Sequence, residues 1–178
     1  MDSPEYTPRR GFWIATTLVL IVTVLPIIFL GAFSGNEGGN ATNLLIHFGL
    51  VMIPSGCVAL LQALMLVSPS LLARVRWFGF TLAGTAIGWG AVFALEPLLR
   101  RLIFSSTLPD QWLLAALDGF VAASPMGAIV GLVTGLIQGR NQPLSARKWL
   151  VGNLISWGLG IGIPVAVFFA GMSQIRLF

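Results

Sequence analysis

Charge is what this sequence has least of. Ten Lys and Arg and six Asp and Glu make up 9% of 178 residues, against about 25% in ordinary soluble domains. So thin a supply cannot clothe a water-exposed surface, and a mean hydropathy of +0.90 points the same way. Cysteine is nearly missing. Cys57 is single and sits in an apolar run, which excludes an intrachain disulfide and a cysteine-based metal cluster and says nothing of the redox compartment. His47 is the single histidine, so bis-histidine haem ligation within one chain is excluded. There is no G-x-S-x-G elbow with a separate His and Asp, no H-E-x-x-H, no P-loop and no G-x-G-x-x-G after a strand, so nothing favours an enzyme. The net charge of +4 comes from residues at the ends of apolar runs, with no basic stripe interleaved with aromatics. Nucleic acid is therefore not an expected partner.

What the sequence has instead is a set of apolar runs close to the ~20 residues needed to cross about 30 Å of hydrocarbon. They predict an all-α integral membrane bundle, one domain over residues 1–178, with about five spans near 13–32, 43–66, 77–95, 112–139 and 149–171. The first run follows Arg9-Arg10-Gly11-Phe12. It exceeds the 7 to 15 residues typical of a signal-peptide core and lacks a good A-x-A site, so a spanning helix is favoured over a signal or twin-arginine leader. Glu96-Pro97 is expected to close the third span, and Pro97 to Gln111 to form an external loop with one interfacial turn. Arg9, Arg10, Arg74, Arg76, Arg140, Arg147 and Lys148 fall on one side of this arrangement, and Arg100, Arg101 and Arg176 on the other. The basic excess marks the first side as cytoplasmic, with the amino terminus inside and the cell inner membrane as the expected location.

The stretch from Trp112 to Gly139 organises the rest. Gly119, Ala123, Gly127, Gly131, Gly135 and Gly139 recur at every fourth place, which on a helix gives one face without bulk. Such a small-xxx-small face lets a neighbouring backbone approach closely in lipid. It predicts the closest helix contact in the fold or in its complex.

Spans two and three repeat the layout of spans four and five. Each pair carries a glutamine near its inner end (Gln62, Gln138), a Ser/Pro/Arg loop, and a Trp-Gly return (Gly88-Trp89-Gly90, Ser156-Trp157-Gly158). This reads as a parallel tandem repeat or as the ordinary likeness of two Gly-rich hairpins. The second hairpin, GLVTGLIQGRNQPLSARKWLVGNLISWGLGIG, resembles a loosely defined group of uncharacterised bacterial multi-pass proteins whose hairpins read G-x-x-x-G-x-x-Q, a basic loop, W, and a G-W-x-x-G-like return. Gly131, Gly135, Gln138, Trp149, Trp157 and Gly160 carry the match, and Ala59 and Ala63 replace the glycines in the first hairpin. The resemblance covers about the last third of the chain and implies no activity.

Asp118 lies about two turns inside the fourth span, and an Asp at the centre of a spanning helix costs about 2.5 to 3.5 kcal/mol. It reads either as a relay or substrate carboxylate, or as a helix-start carboxylate paired with Arg100 or Arg101 near the interface; the second is favoured. His47 could ligate a tetrapyrrole metal, so a chlorophyll-type pigment or haem is the candidate cofactor besides lipids, or it could bond to Asp118 as a packing residue. Together His47, Glu96, Arg100, Arg101 and Asp118 form a candidate outer polar network that either staples the external loop or lines a site. Gln62, Gln138, Asn153 and Ser156 read as hydrogen-bonding glue between helices. Trp77, Trp112 and Trp149 read as interfacial belt residues, with Trp89 and Trp157 deeper.

Two functions follow as expectations. Short loops and a small-residue face suit a non-catalytic subunit of a larger membrane assembly, of photosynthetic or respiratory kind, whose partners are other membrane subunits and the bilayer. Alternatively, SPMGAIVGLVTGLI is similar in texture to spans of the substrate-binding subunits of vitamin transporters, which implies a small-solute or vitamin transport component. A channel would call for a ring of charge or an aromatic filter, and neither is evident.

Overall fold

The computed structural model describes residues 11–33, 41–66, 70–103, 111–139 and 146–175, and leaves aside the side chains of 29–33, 41–48, 96, 97, 99–103 and 175. Among the described residues the chain forms an all-helical bundle of five helices: α1 (Phe12–Phe33), α2 (Ala41–Met65), α3 (Leu71–Ile103), α4 (Trp112–Gly139) and α5 (Ala146–Ile175). Helices α3, α4 and α5 are long and apolar enough to cross a membrane, while the described apolar stretches of α1 and α2 are the shorter Phe12–Ile28 and Gly49–Met65. Pro26, Pro54, Pro125 and Pro164 lie inside helices without ending them, as is usual where neighbouring helices or hydroxyls satisfy the freed carbonyls. The Ser55 and Ser124 hydroxyls donate to the carbonyls of Val51 and Phe120 beside two of these prolines.

The two boundaries that differ most from the sequence expectation are the ends of α3. Glu96-Pro97 does not close α3, which runs on to Ile103 and so takes up half of what reads as an external loop. Pro97 costs α3 one donor, which a helix already several turns long absorbs. At the other end α3 begins at Leu71, because Ser70 caps it: its hydroxyl accepts from the Ala73 N–H at 3.3 Å.

Unlike a water-soluble bundle, this one carries large apolar side chains over its outer surface. Ile14, Leu18 and Val22 on α1, Leu60 and Leu64 on α2, and Leu132 and Leu136 on α4 face outward, while Thr16, Gln62, Thr81, Thr134, Gln138 and Asn153 are fully buried. Leucine out and amide in is the arrangement expected when the surroundings are hydrocarbon and polar groups must find partners inside.

Consecutive helices pack side by side, and α1 also packs on α5, so the helices close a ring in chain order. The tightest seam is between α4 and α5. A Cβ on Gly127 or Gly131 would press on the carbonyl oxygens of Trp157 and Asn153, and one on Gly135 would lie 2.9 Å from the Leu150 Cα. Gly119 meets Val165 and Phe169, Gly139 meets Ala146, and Ala123 is buried with Leu20, Val130 and Trp157. On the other side of α4, Gly84 and Gly88 of α3 approach Thr134 and Val130, an added Cβ lying 2.8 Å from either Cα. So α4 is held backbone to backbone by both neighbours.

Candidate functional site

Near one end of the ring, each helix sends one uncharged polar side chain inward. Thr16 of α1, Gln62 of α2, Thr81 of α3, Gln138 of α4 and Asn153 of α5 are all fully buried, and they form one network. Asn153 Nδ2 donates to Gln138 Oε1 at 2.7 Å and to the Trp149 carbonyl of its own helix at 2.9 Å. Gln138 Nε2 donates to Gln62 Oε1 and to Thr81 Oγ1, both at 2.8 Å. Gln62 Nε2 donates to Thr16 Oγ1 at 3.4 Å. The chain of donors ends in backbone: Thr16 and Thr81 give their hydroxyl hydrogens to the carbonyls of Phe12 and Trp77.

Gln138 is the centre of this hub. Both of its amide hydrogens and its carbonyl oxygen are used, and they reach α2, α3 and α5 at once. A primary amide supplies two donors and an acceptor on a flexible stem, which is why Gln suits a point where three partners converge. The Gln62 to Gln138 bond crosses the ring between helices that do not pack directly on each other. Asn153 Oδ1 is a buried acceptor with no partner among the described residues.

One turn toward the helix ends lies an aromatic layer. Phe12, Trp77 and Trp149 each stand four residues before a hub member, so the aromatic-x-x-x-polar spacing in α1, α3 and α5 puts ring and hub residue on one helix face. Phe12 and Trp149 meet edge to face at 5.2 Å between centroids, and Trp77 and Trp149 at 4.7 Å. Leu66, Ala63 and Ala73 complete this buried cluster. Trp77 and Trp149 are thus not belt residues: they are 0% and 2% exposed. The adjacent basic residues Arg76 and Lys148 are exposed, because neighbouring residues on a helix point about 100° apart. Trp112, at 56% exposure, does face outward, and Trp157 is fully buried between α4 and α1 residues.

The candidate outer network fares differently. Asp118 lies in the second turn of α4 and is partly buried. The side chains of His47, Glu96, Arg100 and Arg101 lie outside the described residues, and with them the expected bonds from His47 or the arginines to Asp118 and the tetrapyrrole-ligand reading of His47.

No protein-family model, no curated protein and no solved structure matches the chain. The hub is therefore interpreted from its own chemistry. None of its five side chains titrates near neutral pH, and none is nucleophilic in this setting, so it can orient and hold but cannot relay protons as an acid or base. Thr16 and Thr81 stand out only once the i to i+4 relation to Phe12 and Trp77 is noticed, a signal the sequence did contain.

Proposed function

We propose that the protein is a non-catalytic integral membrane subunit that docks other membrane proteins through its outer surface. The carrying observation is a contrast between the two sides of α3. Its inner side is filled by Trp77, Thr81, Gly84 and Gly88. Its outer side presents Gly79, Ala83 and Gly90, all exposed, with open space where a Cβ on either glycine would go. Small residues kept on an outward face of a spanning helix suit close approach by another helix. The interior supports the same reading, because the hub groups are committed to one another and leave α3 free to act as a fixed docking rail. A vitamin-binding subunit would need polar groups directed into an open cavity. A photosynthetic or respiratory assembly is the setting in which His47 would hold a pigment or haem.

In blue-native electrophoresis of mildly solubilised native membranes, the wild-type chain is expected to migrate in an assembly well above 19.0 kDa plus its detergent. Gly79→Leu with Gly90→Leu is expected to release it at unchanged unfolding temperature, since both new side chains enter open space. A wild-type chain that migrates alone, or a double variant that stays assembled, would overturn the proposal.

The proposed orientation places the amino terminus and the basic ends of α3 and α5 on the cytoplasmic side of the inner membrane. With Cys57 replaced by Ser, a cysteine at Gln142 is expected to react with an impermeant maleimide only from the inside, and one at Asn36 only from the outside. The reverse pattern would invert the topology.

A further inference from the structure

Beside the aromatic layer, on the outer surface of the ring, Trp13 of α1 and one side of α5 line an open groove of about 600 Å³. Its floor is the seam where Trp13 covers Gly152, so closely that a Cβ there would run into the indole. The Ser156 hydroxyl donates to the Trp13 carbonyl at 3.3 Å and pins α1 along this line. Val151 and Ile155, one turn apart on α5, form the apolar wall and are 46% and 50% exposed. At the mouth stand Arg147 and Lys148, both exposed and neither paired with a carboxylate among the described residues. The groove thus has an apolar length open to the surrounding hydrocarbon and two cations at the end of the helix, where headgroups lie.

We propose that this groove binds one anionic phospholipid, its phosphate between Arg147 and Lys148 and one acyl chain along Trp13, Val151 and Ile155. Charge complementarity selects the headgroup, because basic pockets between spanning helices attract anionic lipids and each Lys or Arg near the surface contributes appreciably. The apolar wall selects a lipid over a free anion, because Val151 and Ile155 give a hydrated ion nothing to bind. This assignment does not depend on the docking role of α3, which lies across the ring.

The test uses the full chain reconstituted in phosphatidylcholine vesicles doped with lipid brominated on its acyl chains, either phosphatidylglycerol or phosphatidylcholine, with tryptophan quenching as the readout. Subtracting the signal of the Trp13→Phe variant isolates the Trp13 contribution. Brominated phosphatidylglycerol is expected to quench Trp13 at a mole fraction about thirty-fold lower than brominated phosphatidylcholine, with each basic residue accounting for about five-fold. Arg147→Gln with Lys148→Gln, at exposed positions where folding is unaffected, is expected to abolish that preference. Inorganic phosphate at the ionic strength of a chloride control is expected to leave the quenching unchanged. Equal quenching by the two lipids, a preference that survives the double variant, or displacement by inorganic phosphate would each overturn the proposal.

Discussion

Replacing Gly131 by leucine is expected to force α4 away from α5 and lower stability by more than about 3 kcal/mol, at the upper end of overpacking effects. The neighbour in the way is main chain: a Cβ on Gly131 already presses on the Asn153 carbonyl oxygen and lies 3.0 Å from the Leu154 Cα. No rotamer change relieves such a clash, so the whole helix must move. The damage also spreads, because Asn153 reaches Gln138 from the turn that Gly131 touches. Adding Gly135→Leu extends the clash to the Leu150 Cα and should abolish assembly. Unfolding followed by denaturing detergent titration checks the prediction, with Gly90→Leu, whose side chain enters open space, as the control that should keep wild-type unfolding. A Gly131→Leu chain with wild-type stability would show that the seam is not as tight as the backbone geometry requires.

The second large effect is expected at Gln138. Its truncation to alanine removes three hydrogen bonds and leaves Asn153 Nδ2, Gln62 Oε1 and Thr81 Oγ1 short of a partner in a fully buried place. Membrane hydrogen bonds average about 0.6 kcal/mol, but unsatisfied buried groups cost about 1–3 kcal/mol each. Partial relaxation brings the expected loss to about 2–4 kcal/mol. Thr16→Val should cost about 1 kcal/mol, at the low end for an unsatisfied buried group, since it deprives only Gln62 Nε2 of one long bond of 3.4 Å. The same unfolding titration orders the variants. A double-mutant cycle of Gln138→Ala with Asn153→Ala should show coupling of about 1 kcal/mol, as members of one network are not additive. Additive losses, or Thr16→Val as harmful as Gln138→Ala, would break the hub interpretation.

Much of this architecture is visible in residue spacing. The four-residue series from Gly119 to Gly139 lies on one helix face whatever the helix meets, because the period of the α-helix alone aligns i with i+4. The scarcity of charge and the length of the runs called for a membrane bundle of about five helices for equally local reasons. The failures were also local. Glu96-Pro97 looked like a stop, but α3 continues to Ile103, since proline weakens a helix without ending it when the flanking turns carry the structure. Trp77 and Trp149 read as belt residues from their place at the ends of the predicted spans, yet both are buried, since place along a span does not fix which side of the helix a residue faces.

Helical period alone puts the glycine series of α4 on one face, and likewise the Phe12/Thr16, Trp77/Thr81 and Trp149/Asn153 pairs. That period acts along a single segment. Only the tertiary structure decided that α5 covers the glycine face, that α1 closes the ring, and that Gln62 and Gln138, 76 positions apart, bond across it at 2.8 Å. Those choices depend on which backbones can approach closely and which amides can then reach one another, and such complementarity exists between helices and in none of them alone.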